Sequence, residues 1–204
     1  MAKIYNNTKL TSSAIYSQVY WHDFFVKEDI DRIVQYCKTN DLNDSTVSNN
    51  AVLDNKTRIS KVNFHNPNAQ NQWIFDRINF GVEDINNKFF HFDLYGYDYF
   101  QYSEYEGEKL GKYNFHGDMF INDESLSQPL TRKLSLSLLL SEPGVDFEGG
   151  EFQINSGLEQ EAKTLEMRKG SLVAFPSFMI HRVAPVTKGV RRSIVLWVVG
   201  PKFK

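Results

Sequence analysis

GSLVAFPSFMIHRVAPVTKGVRRSIVLW, residues 170–197, is the stretch whose reading decides the fold. Residues 171–175, 180–186 and 191–199 are short apolar runs, and Lys169-Gly170 and Lys188-Gly189 supply the breakers that tight connections need. Such runs read as strands. On the last of them Arg191, Ser193, Val195 and Trp197 share one face, while Ile194, Leu196 and Val198 share the other with Arg192, because side chains two apart on a strand point the same way. The stretch also carries His181, ten residues before Arg191.

Working outward, residues 97–105, 113–120, 134–140, 151–154 and 164–167 repeat the pattern, with Glu106-Gly107, Pro143-Gly144 and Gly149-Gly150 as turns between them. Eight short strands point to a sandwich or barrel. Nearer the N-terminus, residues 18–25 alternate like a strand, and residues 27–38 place Ile30, Ile33, Val34 and Cys37 at helical spacing. That helix should lay one face on a sheet. Residues 41–56 are loop-like, residues 57–64 alternate imperfectly as a strand, and residues 67–90 repeat Trp73, Ile74, Ile78, Val82 and Ile85 as a long amphipathic helix, with Gly81 its weak point. The expected fold class is α+β, mainly β, with N-terminal helices packed on the sheet. It reads as one domain over residues 1–204: residues 1–90 form an α/β support and residues 91–204 the β core with the site.

Composition limits the partners. The 204 residues are 41% hydrophobic, enough for one sizeable core. Lys plus Arg total 23 against 25 for Asp plus Glu, and the net charge of −2 gives no electrostatic case for nucleic acid or an anionic membrane. Cys37 is the only cysteine, which excludes an intrachain disulfide framework and a cysteine zinc site and fits an intracellular, cytoplasmic compartment. No run approaches the roughly eighteen apolar residues of a membrane span, and residues 1–17 are polar, without the apolar core of a signal.

The chemistry lies in a split constellation: His116-Gly117-Asp118, then His181, then Arg191. On an extended strand His116 and Asp118 point together at one ion while Gly117 faces away. A histidine from a distant strand then completes one face of an octahedron, leaving open positions opposite, as in non-haem iron sites. Two histidines and an aspartate also suit a catalytic zinc, so the ligands alone leave the metal open. Arg191 tips the balance. With Ser193 on its face it offers a planar fork and a hydroxyl to a carboxylate, which suits a dicarboxylate chelating the metal by its other end.

These residues resemble the 2-oxoglutarate- and iron(II)-dependent oxygenases, and among them the prolyl 4-hydroxylase-like branch with the PKHD-type hydroxylases. The resemblance runs from about Tyr99 to Trp197 and rests on Tyr105-Glu106-Gly107, Tyr113, His116-Gly117-Asp118, Gly149-Gly150-Glu151 and residues 170–197. It implies a double-stranded β-helix, or jelly roll. It implies iron at His116, Asp118 and His181 and the far carboxylate of 2-oxoglutarate on Arg191, which strand parity places beside Ser193; Tyr105 and Tyr113 of the motif and Ser137 of the serine row are further candidate co-substrate contacts. Fe(II), 2-oxoglutarate and O2 are then required, with ascorbate as a stimulant. The chain departs from the pattern at Lys109-Leu110-Gly111, a spacer that shifts the alignment around the two tyrosines.

The implied reaction is hydroxylation of an unactivated C–H, foremost that of a prolyl residue in a peptide or protein. Halogenating relatives lack the carboxylate that Asp118 supplies. The alternatives are the same chemistry on a small molecule, a non-redox cupin-type metal enzyme that would not need Arg191, and a silent binding module. Among the other residues, His22, His65 and His91 read as structural. Ser135, Ser137 and Ser141 alternate with leucines, as on a solvated sheet face, and Arg182 reads as surface or support. Residues 41–56, 65–72 and 122–131 are polar enough to be substrate-covering loops, and nothing in the first 90 residues carries a recognisable motif.

Overall fold

The fold is described from a computed structural model over residues 16–46, 54–119, 130–155, 157 and 162–202. In chain order come β1 (Val19–Trp21), α1 (Lys27–Cys37), β2 (Asn43–Asp44), β3 (Arg58–Ile59), β4 (Lys61–His65) and α2 (Gln72–Ile85), which runs on into a π turn (Asn86–Phe90). There follow β5 (Phe100–Glu106), β6 (Lys112–His116), β7 (Leu130–Leu139), β8 (Phe147–Gly149), β9 (Phe152–Asn155), β10 (Lys163–Thr164), β11 (Leu172–Pro176), β12 (Ile180–Val183) and β13 (Val186–Pro201). The larger sheet has the order β1-β11-β7-β13-β5-β4-β2, with β8 also on β13; the smaller is β10-β9-β12-β6-β3. Every pairing between these strands is antiparallel.

The spine of the larger sheet is β13, which pairs with β5 on one side and β7 on the other. Its alternation sorts two cores. Ile194, Leu196 and Val198 join Tyr102, Leu134, Leu136 and Leu138 in a buried cluster that also holds Ile30 and Ile33 of α1 and Ile74 and Ile78 of α2. A second cluster lies between the sheets, where Tyr105, Leu139, Val173 and Phe175 of the larger meet Phe152, Ile154 and Val183 of the smaller. Both faces of the larger sheet are therefore covered. That overturns the solvated-face reading of the serine row: Ser135, Ser137 and Ser141 are all buried, the first two because their side of β7 faces the second sheet, and Ser141, past the end of β7, with its Oγ accepting the Arg192 N–H at 2.9 Å.

Several boundaries also differ from expectation. The long helix begins at Gln72 rather than near residue 67, because Asn68 and Asn71 spend their side chains on local backbone. Asn71 Oδ1 accepts the Asn68 N–H at 2.8 Å, and Asn68 Oδ1 accepts the Gln70 N–H at 2.9 Å, a turn that competes with helix. Gly81 is a close approach as well as a weak point, since a Cβ there would lie 2.6 Å from Phe24 Cε2. The loop at 41–56 contains the two-residue strand β2, and its residues 47–53 lie outside the described residues. So do residues 122–129 of the third candidate covering loop, whose last two residues open β7. Among the described residues no helix is long and apolar enough to cross a membrane.

Candidate metal centre

β6 and β12 are neighbours in the smaller sheet, and their register sets His116 directly opposite His181, with ring centroids 4.2 Å apart. Asp118 arrives differently from the strand-parity expectation. β6 ends at His116, and Asp118 sits in a bend whose Asp118 and Met119 N–H groups both donate to the Ser177 carbonyl, at 2.9 and 3.0 Å. The strand stops there because those two N–H groups bond across to the turn before β12 instead of extending the ladder. Asp118 Oδ1 then lies 3.7 Å from His116 Nε2 and Oδ2 lies 3.6 Å from His181 Nε2. One donor atom from each of the three residues falls within 4.8 Å of the others.

Hydrogen bonds fix which atoms remain free. His116 Nδ1 bonds to the Asn114 carbonyl at 2.8 Å and His181 Nδ1 to the Met179 carbonyl at 3.0 Å. Since a carbonyl only accepts, each Nδ1 carries the proton and each Nε2 presents its lone pair to the centre. Burial, then the neighbouring His181, pushes the His116 pKa down to about 4, so that imidazole is neutral near pH 7. Burial alone would raise the Asp118 pKa, but the two histidines and the Ser135 hydroxyl outweigh it and hold the carboxyl below its usual range. Ser135 Oγ donates to Asp118 Oδ2 at 2.7 Å and lies 2.9 Å from Ser177 Oγ. Two imidazoles with Nε2 turned to the centre and one carboxylate, with open space on the far side, are the donor set of a facial iron site.

That space is a cavity of ≈ 240 Å³ between the sheets. Arg191 forms part of its wall, 2% exposed, with Nη1 donating to Ser193 Oγ at 3.2 Å and its guanidinium 5.7 Å from the Tyr105 ring centroid. Among the described residues it makes no ion pair, and burial lowers its pKa. Arg192 faces the other way and is neutralised, its Nε 3.0 Å from Glu104 Oε1. Gly150 leaves room for the buried arginine: its φ is +66°, and a Cβ would come 3.1 Å from Arg191 Cδ. Ser137 and Tyr113 also line the cavity, but Tyr113 stands beside the histidines rather than the arginine, its ring stacked on His116 at 3.5 Å between centroids.

Sequence reasoning missed two contributors. Ser135 was read with a solvated row, because alternation shows that a face is distinct without showing what covers it. Arg58, from the N-terminal third, reaches the same cavity through β3, whose Arg58 pairs with Tyr113 of β6. No local pattern marked it. The residues set aside as structural behave so. His65 Nε2 bonds to Asn63 Oδ1 at 2.8 Å, His22 Nδ1 lies 3.1 Å from Ser171 Oγ, and Arg182 donates to Gln153 Oε1 at 2.6 Å.

Comparison with known proteins places these features. Residues 100–199 match the family model described as the 2OG-Fe(II) oxygenase superfamily. A PKHD-type hydroxylase of Teredinibacter turnerae is 35% identical over 88 residues, 43% of this chain and 38% of that protein. PKHD-type hydroxylase YbiX of Shigella boydii is 35% identical over 86 residues, 42% of this chain and 37% of that protein. The chain thus spans under two fifths of the length of these curated relatives. Among solved structures, a Pseudomonas putida prolyl-4-hydroxylase superposes with a TM-score of 0.70 at 18% identity, covering 91% of this chain and 94% of that one. A Trichoplax adhaerens prolyl hydroxylase, in complex with a hypoxia inducible factor peptide fragment, gives a TM-score of 0.71 at 15% identity over 89% of this chain and 83% of that one. At these identities the likeness establishes the fold, a mainly β, antiparallel jelly roll.

Proposed function

Residues 100–199 match the 2OG-Fe(II) oxygenase superfamily model, and from that match we propose that the chain uses Fe(II), 2-oxoglutarate and O2 to hydroxylate a prolyl residue in a peptide or protein. The observation that carries this reading is Arg191: a buried cation without an acidic partner among the described residues, opening on the same cavity as His116, Asp118 and His181. An isolated buried charge is costly, so a site that keeps one is built for an anion that arrives with the ligand.

His116, Asp118 and His181 would hold the iron, and Arg191 with Ser193 would take the far carboxylate of 2-oxoglutarate. When bound, the iron and the 2-oxo acid supply the oxidising chemistry, converting O2 and 2-oxoglutarate to succinate, carbon dioxide and one oxygen atom for the substrate C–H. The chain's own part is positional. The Asn114 and Met179 carbonyls keep both Nδ1 atoms protonated, so the two rings cannot turn away from the centre. Ser135 engages Oδ2 of Asp118, leaving Oδ1 the freer oxygen. Phe152 and Val183 line the cavity and keep water from the centre. Tyr105 and Ser137 complete the wall around the co-substrate, while Tyr113 braces His116. We take residues 1–204 as one oxygenase domain, with α1 and α2 supporting the larger sheet through the cluster they share with it.

The prolyl substrate is supported by the solved neighbours, prolyl hydroxylases of which one holds a peptide fragment. Trp197 adds to this, because it lines the cavity and its buried indole N–H has no acceptor among the described residues, leaving a donor for a peptide carbonyl. The test supplies anaerobic protein with Fe(II), ascorbate and 2-oxoglutarate, admits O2, and measures succinate with and without a proline-peptide panel. Succinate should rise above the His116→Ala background, and a proline peptide should gain one oxygen by mass. No succinate above that background would reject the oxygenase reading; succinate without proline oxidation would reject only the substrate.

A further inference from the structure

We infer that Arg58 receives a carboxylate of the substrate, so that this oxygenase takes chains with an acidic group close to the hydroxylated carbon; the inference rests on the oxygenase reading above. Arg58 is 7% exposed, which makes it a second buried cation on the wall of the cavity. Its only side-chain hydrogen bond among the described residues runs from Nε to Ser60 Oγ at 2.9 Å, and that hydroxyl is braced in turn by Ser45 Oγ at 2.9 Å. The guanidinium lies 4.6 Å from the Tyr113 ring centroid. One edge and one face of the fork are thus occupied, leaving the terminal nitrogens for a planar bidentate partner.

No acid of the chain takes that place among the described residues. Arg192 has Glu104, whereas no carboxylate lies within ion-pair distance of Arg58. Arg58 and Arg191 both line the cavity, and the one carboxylate lining it among the described residues is Asp118 in the metal centre. A buried cation without an acidic partner among the described residues is the same signal that Arg191 gives for the co-substrate.

The position of Arg58 separates its ligand from the co-substrate. Arg58, Tyr113 and His116 form one stack, 4.6 Å and then 3.5 Å between neighbours, so the Tyr113 ring stands between this cation and the metal ligands. Access comes from outside. Thr46, Arg58, Phe64 and Gln101 line both the cavity and an adjoining surface hollow that also holds Asp41 and Asp44. Those two acids repel a dianion such as a phosphomonoester more strongly than a single carboxylate.

Calorimetric titration tests this on protein loaded with Mn(II) and saturating 2-oxoglutarate. The probes are three tetrapeptide pools alike except at the residues flanking proline, which are Asp/Glu, Asn/Gln or Lys/Arg. The acidic pool should bind about tenfold or more tightly than the amide pool. Arg58→Gln should abolish that preference while the 2-oxoglutarate Kd, measured before peptide is added, moves by less than about twofold; Arg58→Lys should retain part of it. Equal binding of the pools, no binding by any, or a preference that survives Arg58→Gln overturns the inference. Failure of 2-oxoglutarate to bind the Mn(II)-loaded protein sinks the oxygenase reading and the inference together, whereas bound 2-oxoglutarate with equal pools sinks the inference alone.

Discussion

At the scale of single residues, the two oxygens of Asp118 have different surroundings. Oδ2 accepts from Ser135 at 2.7 Å, while Oδ1 has His116 Nε2 at 3.7 Å. Replacing Ser135 by Ala removes the donor and leaves a buried carboxylate oxygen unpaired, so the carboxylate loses the bond that sets its orientation. Supporting bonds of this kind are worth about 10- to 100-fold in metal affinity, and Ser135→Ala should weaken Mn(II) binding by that much in a direct titration. Ser135→Thr should restore it. Which residues meet was legible: strand parity put Arg191 with Ser193 and turned Arg192 away, as the structure does. Ser135 was not legible, because a leucine-serine alternation looks the same whether the serine side meets water or a second sheet.

At the scale of elements, side-chain ties set where strands and helices stop. Asp118 leaves β6 for the Ser177 carbonyl, and Asn68 and Asn71 delay α2; neither long-range nor side-chain bonding of that sort appears in hydrophobic periodicity. β4 is tied to the end of α1 in the same way. His65 Nε2–H donates to Asn63 Oδ1, and Asn63 Nδ2 donates to the Cys37 carbonyl at 2.7 Å and the Asn40 carbonyl at 3.1 Å. Burial lowers the His65 pKa, favouring the neutral ring in the folded state. Above about pH 6.5 both folded and unfolded rings are neutral. Below it the unfolded ring takes up a proton that the folded ring refuses, so stability falls with pH until the lowered folded value is passed. Unfolding free energies from urea titrations between pH 7.5 and 5 should fall more steeply for the wild type than for His65→Gln, by up to about 1.4 kcal/mol per pH unit. Equal slopes would remove His65 from the account.

At the scale of the whole molecule, the two sheets divide the work. The face of β13 that carries Ile194, Leu196 and Val198 goes to the helix-side core, and the face that carries Arg191 and Ser193 goes to the space between the sheets. The alternating C-terminal half made this division readable in advance. The reach of Arg58 across from β3 was not, because it depends on β3 pairing with β6 far along the chain. Since the metal centre joins β6 to β12 and the co-substrate would bridge it to β13, ligands that bind only the folded state should stabilise both sheets at once. At about 100 times its Kd a ligand adds about 2.7 kcal/mol. Mn(II) with 2-oxoglutarate should therefore raise Tm more than Mn(II) alone, and EDTA should reverse the gain.

Equilibrium dialysis of 2-oxoglutarate against Mn(II)-loaded protein tests the central claim most directly, since it joins the metal ligands to Arg191 in one number. Binding at one molecule per chain should require the metal. It should weaken roughly 10- to 100-fold in Arg191→Gln, the worth of hydrogen bonds to a charged group, and stay within about twofold in Arg192→Gln. Binding that persists without metal, or that ignores the loss of Arg191, would contradict the account.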